Sequence, residues 1–205
     1  MTTEHETEDD QKGFGQFAYE LKIPKDRIAV LIGTKGEMKR RIEEETNSNL
    51  SIDSKEGDVR ITGDDSLGLF SAREIVKAIG RGFSPEIALQ ILKSDYAFEI
   101  LNIADYVGKS DKTARRLKSR VIGTEGKTRK YIEDSTETSL SVYGKTISII
   151  GEAENVMLAR RAIESLLAGA THSSVYKWLE RKRKELERNR MLGNQIELKE
   201  GFRGK

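Results

Sequence analysis

The sequence predicts an α+β protein built from two copies of one small unit, each ordered strand, helix, helix, strand, strand, helix. Three observations carry this: an internal repeat, a Gly-x-x-Gly motif in the same slot of each copy, and apolar periods that alternate between strand and helix spacing in the same order. Ile32-Gly33-Thr34-Lys35-Gly36 recurs as Ile122-Gly123-Thr124-Glu125-Gly126, ninety positions on. From Ile32 to Ile52, nine of 21 positions are identical at that offset, where about one or two would match by chance at ordinary residue frequencies. Gly63 then meets Gly151, and Ala72-Arg73 meets Ala159-Arg160, at slightly smaller offsets. The slip falls between strands, where loop length varies freely.

In copy one, Tyr19 to Ile23 alternates as a strand, and Pro24 favours a turn or helix start. Lys25 to Ile32 is a short helix with Ile28, Leu31 and Ile32 on one face, and Glu37 to Thr46 is a second helix. Leu50–Ile52 and Val59–Ile61 are short strands joined by a loop containing Gly57-Asp58. Ser66 caps a last helix whose Leu69, Ala72, Ile75, Val76 and Ile79 fall at helical spacing. In copy two, Phe98, Ile100 and Ile103 belong to the first strand and Lys112 to Val121 to a basic helix. Lys127 to Thr136, strands Ser139–Tyr143 and Thr146–Ile150, and a helix using Val156, Ala159, Ile163, Leu166 and Leu167 complete it.

The domains are therefore expected at 16–83 and 97–171. Residues 84–96 should form a connecting helix, with Ser84-Pro85 at its start and Ile87, Ala88, Ile91 and Leu92 as a stripe that packs between the domains. Residues 1–15 read as a disordered acidic tail, and 172–205 as a C-terminal helix and basic tail, docked by Val175, Trp178 and Leu179. The 177–190 stretch holds seven bases and three acids; a salt-paired helix and a role in RNA or partner contact are about equally favoured.

The 205 residues carry a net charge of only +2, so overall charge does not point to nucleic acid. Its distribution does. Residues 1–10 hold five acids and no base, whereas 109–131 hold nine bases against two acids, all around the second glycine motif. Without cysteine there are no disulfides or thiolate sites, which fits a reducing cytoplasm. No long apolar run and no basic-then-apolar leader is present, so neither a membrane span nor a secretory signal is expected.

A lone Gly-x-x-Gly is weak evidence, and the third match, Gly201 to Gly204, reads as noise. The two repeated ones lie between helices, where glycine permits unusual backbone angles and lets a phosphate approach the main chain. The helix that follows adds its unpaired N–H groups and positive dipole end. The candidate RNA-binding residues are thus Ile32, Gly33, Thr34, Lys35, Gly36, Lys39 and Arg40 in copy one. In copy two they are Arg115, Arg116, Lys118, Arg120, Ile122, Gly123, Thr124, Glu125, Gly126, Lys127, Arg129 and Lys130.

At this point the pattern resembles the type I KH fold, which implies a three-stranded antiparallel sheet covered by helices and a Gly-x-x-Gly that clamps single-stranded RNA. The family's aliphatic groove maps to Ile32 and Ile52, and to Ile122 and Val142. Phe83-Ser84-Pro85-Glu86, Asp105 to Ser110, Ser141 to Thr146 and His172 to Tyr176 narrow the resemblance to archaeal KH ribosome-assembly factors. That resemblance implies binding near the 3′ end of small-subunit rRNA, contact with the NOB endonuclease, and a link to the α subunit of translation initiation factor two. Eukaryotic relatives often lack an intact first Gly-x-x-Gly; Gly33 and Gly36 are present here.

The leading expectation is a non-catalytic, cytoplasmic RNA-binding factor with no cofactor and no metal. An adapter with repurposed KH folds is the first alternative and a nuclease the weaker second. His5 and His172 lie in a tail and at a helix start, and no acidic triplet has metal-binding spacing.

Overall fold

In a computed structural model, residues 17–106 and 111–202 are described; the acidic segment with His5, the Val107–Ser110 part of the Asp105 motif, and Gly204 of the third glycine match lie outside them. The chain divides into two compact units at Lys77/Ala78. In the first, β1 (Phe17–Lys22), α1 (Lys25–Ile32), α2 (Glu37–Thr46), β2 (Asn49–Ile52), β3 (Asp58–Gly63) and all but the last residues of α3 (Ser66–Gly80) follow in order. The sheet order is β1-β3-β2, antiparallel throughout. Ile42, Ile61, Leu69, Ala72, Ile75 and Val76 form the core between sheet and helices.

After two short turns, the second unit repeats the plan with β4 (Tyr96–Asn102), α5 (Asp111–Ile122), α6 (Lys127–Thr136), β5 (Ser139–Tyr143), β6 (Thr146–Glu152) and α7 (Ala153–Leu167). Its sheet order is β4-β6-β5. A last helix, α8 (His172–Phe202), adds Val175 and Leu179 to that core, with Trp178 half-buried against it. The α+β expectation and the βααββα order hold in both units. The β2–β3 connection has five residues, organised by Asp53, whose Oδ1 accepts from Lys55 and Glu56 N–H. The β5–β6 connection has two, Gly144 and Lys145, with Gly144 at φ 54°.

The shared identities explain one corner of each unit. In α2, the Glu43 carboxylate accepts from the Leu50 N–H of β2 at 2.7 Å, and Glu133 of α6 does the same for Leu140 at 2.8 Å. Thr46 and Thr136 donate back to the Ile42 and Ile132 carbonyls and bond Ser48 and Thr138 beside them. Gly63 ends the central strand at this corner and Gly151 is the last residue but one of its counterpart; a Cβ on Gly151 would lie 2.8 Å from Thr138 Cγ2. Four of the nine identities, Ile42, Glu43, Thr46 and Leu50, thus hold the framework.

Several expectations need correction. The connector is no single helix across 84–96. It is one α-turn, α4 (Pro85–Ala88), then a 3₁₀ turn at Leu89–Leu92, and β4 already starts at Tyr96. Ser84 makes no side-chain cap bond, and polar Lys93-Ser94-Asp95 offers no apolar residue to extend the helix. The turn packs on β4 and β6, and Phe83 meets the Phe98 ring edge-on, so the segment covers the outer face of the second sheet. That cover makes every residue from Thr146 to Gly151 buried. Ile103 falls in a 3₁₀ turn after β4, and in the strand Leu101 is buried while Ile100 is exposed. The cap of α3 is Asp65, whose carboxylate accepts from Leu67 and Gly68 N–H; Ser66 is the first helical residue. The last helix takes up most of the expected basic tail as well, running to Phe202.

Replacing Glu133 with alanine should leave the half-buried Leu140 N–H unpaired and cost about 1–3 kcal/mol. Glu133→Gln, which keeps an acceptor oxygen, should cost clearly less. Urea unfolding of the two variants checks this, with Glu43→Ala as the parallel case in the first unit.

Candidate nucleic-acid interface

The two glycines of each motif do different work. Gly33 sits at φ 72°, ψ 178° and Gly123 at φ 73°, ψ 176°, a region only glycine enters readily. A Cβ there would lie 2.7 Å from Met38 Cβ or 2.8 Å from Thr128 Cβ, so the following helix seats directly on the first glycine. Gly36 and Gly126 are left-handed at φ 76° and 75°, and a Cβ on either would meet nothing within 4 Å. Lys35 and Glu125 between them are also left-handed, at φ 52° and 55°. The outcome is a tight corner whose outer side is bare backbone, leading into the N-terminus of α2 or α6. An anion can approach it closely.

Beside each corner lie apolar side chains that the core only half covers. Ile32 and Ile52, and Ile122 and Val142, are half-buried, while Leu31, Ile42, Leu50, Val121, Ile132 and Leu140 are fully inside. These are the four positions assigned to the groove, and each sits at the rim of the core.

The cations separate into distinct roles. In α5, Arg115 and Lys118 stand seven and four residues before Ile122, on its face of the helix. Arg116 stands four before Arg120, on the other flank. Arg120 is committed elsewhere: its guanidinium donates to the Leu166 carbonyl at 3.2 Å and to Ala170 O, closing the C-terminus of α7. Lys127 pairs with Glu125 at 3.3 Å and Arg129 with Glu133 at 3.4 Å. Lys127 and Glu125 are both largely exposed, so that pair holds the lysine weakly. Lys130 points to solvent beside them. In copy one Thr34, Lys35 and Arg40 are exposed, and Lys39 reaches Glu43 at 3.7 Å. Thr124 is exposed in the second corner.

A support behind the second corner had not been read from the sequence. Tyr176 of α8 donates to Thr128 Oγ1 at 3.0 Å, and Thr128 is the residue that seats on Gly123. The Tyr131 and Tyr176 rings lie 4.0 Å apart between centroids. His172 Nε2 bonds the Arg120 carbonyl at 2.9 Å, in the last turn of α5. Burial, and then the Glu180 carboxylate, hold the Tyr131 phenol above its usual pKa range. The available signal was the His172/Tyr176 spacing of four, which puts both on one helix face. In copy one Met38 stands where Thr128 does.

Residues 18–78 match the KH domain family, and residues 97–184 match the eukaryotic-type KH domain, type I. A KH domain-containing protein of Methanocaldococcus jannaschii is 52% identical over 174 residues, 83% of this chain and 76% of that protein. The pre-rRNA-processing protein PNO1 of Chaetomium thermophilum is 33% identical over 107 residues, 50% of this chain and 40% of that longer protein. A chain in the crystal structure of an a/eIF2alpha–aDim2p–rRNA complex from Pyrococcus horikoshii is 45% identical, with a TM-score of 0.79; the match covers 86% of this chain and 99% of that one. The chain belongs to the Dim2/PNO1 family of paired KH domains. Within that family frame, each Gly-x-x-Gly stands between the first two helices of its KH domain, beside the half-buried aliphatics of the adjoining strand. No helix among the described residues is long and apolar enough to cross a membrane.

The divided cations can be told apart by measurement. Arg120→Ala should lower stability by about 1–2 kcal/mol, since it strips two helix-end carbonyls of their donor, yet leave the salt dependence of RNA binding unchanged. Arg115→Ala with Lys118→Ala should make the slope of log affinity against log salt shallower by up to about 0.7 per lost contact. Titrations at several salt concentrations, run beside melting curves, report both. Tyr176→Phe, which keeps the ring and removes the bond to Thr128, should weaken short single-stranded RNA binding two- to threefold, about 0.5 kcal/mol, with the melting temperature nearly held.

Proposed function

We propose that this protein is a non-catalytic, cytoplasmic RNA-binding factor that holds single-stranded small-subunit rRNA, near its 3′ end, while the subunit matures. One observation carries the reading: an open, left-handed Gly-x-x-Gly corner stands beside half-buried aliphatics and outward cations in a chain of the Dim2/PNO1 family. Phosphates would sit on the corner and helix N-terminus, with Arg115, Lys118, Lys127 and Lys130 alongside. Bases would lie across Ile122 and Val142, so that backbone contacts supply affinity and the aliphatic floor supplies choice. The second domain is the main RNA clamp, because its corner carries more uncompensated cations and the α8 support.

The solved complex of the Pyrococcus relative holds an initiation-factor α subunit together with rRNA. We extend that partnership to this chain as a second engagement beside RNA, and a NOB-type endonuclease as a third. An adapter that binds protein alone is the competing function, and the RNA experiment decides between them.

The experiment must respect the two glycines. Aspartate at Gly123 would drive its Cβ into Thr128 and mix misfolding with lost binding. Thr124→Asp instead adds a carboxylate at an exposed position of the corner, next to the one Glu125 already carries. This change should weaken single-stranded RNA binding at least roughly tenfold, about 1.4 kcal/mol. The matching Thr34→Asp should cost less. Equal binding by the folded Thr124→Asp variant and the parent would remove the second corner from the RNA surface.

A further inference from the structure

We infer that α8 carries a second RNA-backbone site, a stripe of four cations formed by Lys177, Arg181, Lys184 and Arg188. The inference rests on the RNA-binding function proposed above and adds a surface to it. These residues recur at spacings of four, three and four, which places them on one line of the helix, with about 5–6 Å between neighbours. Val175 and Leu179 are buried, and Lys182 and Leu186 continue their line half-buried. That line repeats the same spacing two residues earlier, so the four cations face away from the body of the domain. All four are exposed.

The acids of the same stretch are engaged on other faces. Glu185 takes Lys182 at 2.7 Å, Glu187 takes Arg183 at 2.9 Å, and Glu180 accepts from the Tyr131 hydroxyl at 3.4 Å. A salt-paired solvent helix would distribute its acids against every base. Here three acids serve the flanks, and the outward line has no ion pair within 4.0 Å among the described residues, its one electrostatic partner there being Glu185, which Arg188 helps Lys182 to hold. Between Lys177 and Arg188 that line also holds no apolar side chain. A protein partner grips a helix through buried apolar anchors, whereas a phosphodiester backbone needs only regularly spaced cations. The same helix supports the second Gly-x-x-Gly through Tyr176, one residue before the stripe begins. α8 packs against α6, the helix that begins at that corner.

The test replaces all four cations with glutamine, which keeps the helix propensity and leaves the corner intact. Two probes are titrated at several salt concentrations: an oligonucleotide of about four nucleotides, the length one corner clamps, and a single strand several times longer. The short probe should bind variant and parent alike. The long one should bind the variant roughly tenfold more weakly at low salt, with a slope shallower by up to about 0.7 per lost contact. An unchanged affinity and slope for the long strand in the folded variant would overturn the inference. So would an equal loss for both probes, which would make the helix a structural element only. If polyglutamate binds the parent but not the variant while the long strand binds both equally, the stripe is a protein-docking surface instead. Failure of the parent to hold the short probe would count against the Gly-x-x-Gly clamp, and the long strand would still judge the stripe.

Discussion

A carboxylate bonded to a strand N–H sets the geometry on which the proposed RNA surface depends. Glu43 and Glu133 each tie the helix after the glycine corner to the first residues of the next strand. Two residues along that strand stand Ile52 and Val142, the aliphatic edge of the groove. On the proposed reading the corner would take the phosphate and the strand the base, and one glutamate per domain fixes the distance between corner and strand. The threonines one turn on, bonded to the Ile42 and Ile132 carbonyls, keep the helix end from fraying away from that contact. An ionised acceptor in a half-buried site makes a stronger bond than a neutral one, and both copies keep it.

The parts of the fold fixed by local chemistry were legible from residues alone. Helices at Lys25–Ile32, Glu37–Thr46 and Lys127–Thr136 and the strand at Ser139–Tyr143 were placed to the residue, because glycines and apolar periods mark their ends. The connector was harder. Its apolar residues were visible, but four of them at helical spacing do not reveal whether they continue a helix or fold down onto a sheet. Ile103 was set in the strand for the same reason, since a strand with apolar residues on both faces gives no alternation to read. Arg120 shows a limit of charge counting: a guanidinium that closes a distant helix end is indistinguishable in sequence from one facing solvent. His172 and Tyr176 were read as a family resemblance, while their contacts with Arg120 and Thr128 needed the fold.

The two copies share a framework and differ in what surrounds the corner. Copy one seats Met38 on its glycine, whereas copy two seats Thr128, whose hydroxyl gives α8 something to bond. This single difference in side-chain polarity lets the C-terminal helix attach to one corner with a directional contact. The charge follows the same asymmetry: Lys35 of the first corner is replaced by Glu125 in the second, while the helix before the second carries Arg116 and Lys118 where the first has Asp26 and Ile28.

The two-residue connection between β5 and β6 sets how the second domain meets its ligand. A five-residue loop, as between β2 and β3, can fold over a bound strand and must then give up its freedom. Gly144 and Lys145 are too few to form such a flap, so among the described residues the β5–β6 connection gives the proposed second groove no part to close. On the proposed reading, encounter with it would be close to rigid docking, and occupancy would be governed by how long the strand stays rather than by a slow rearrangement before it settles.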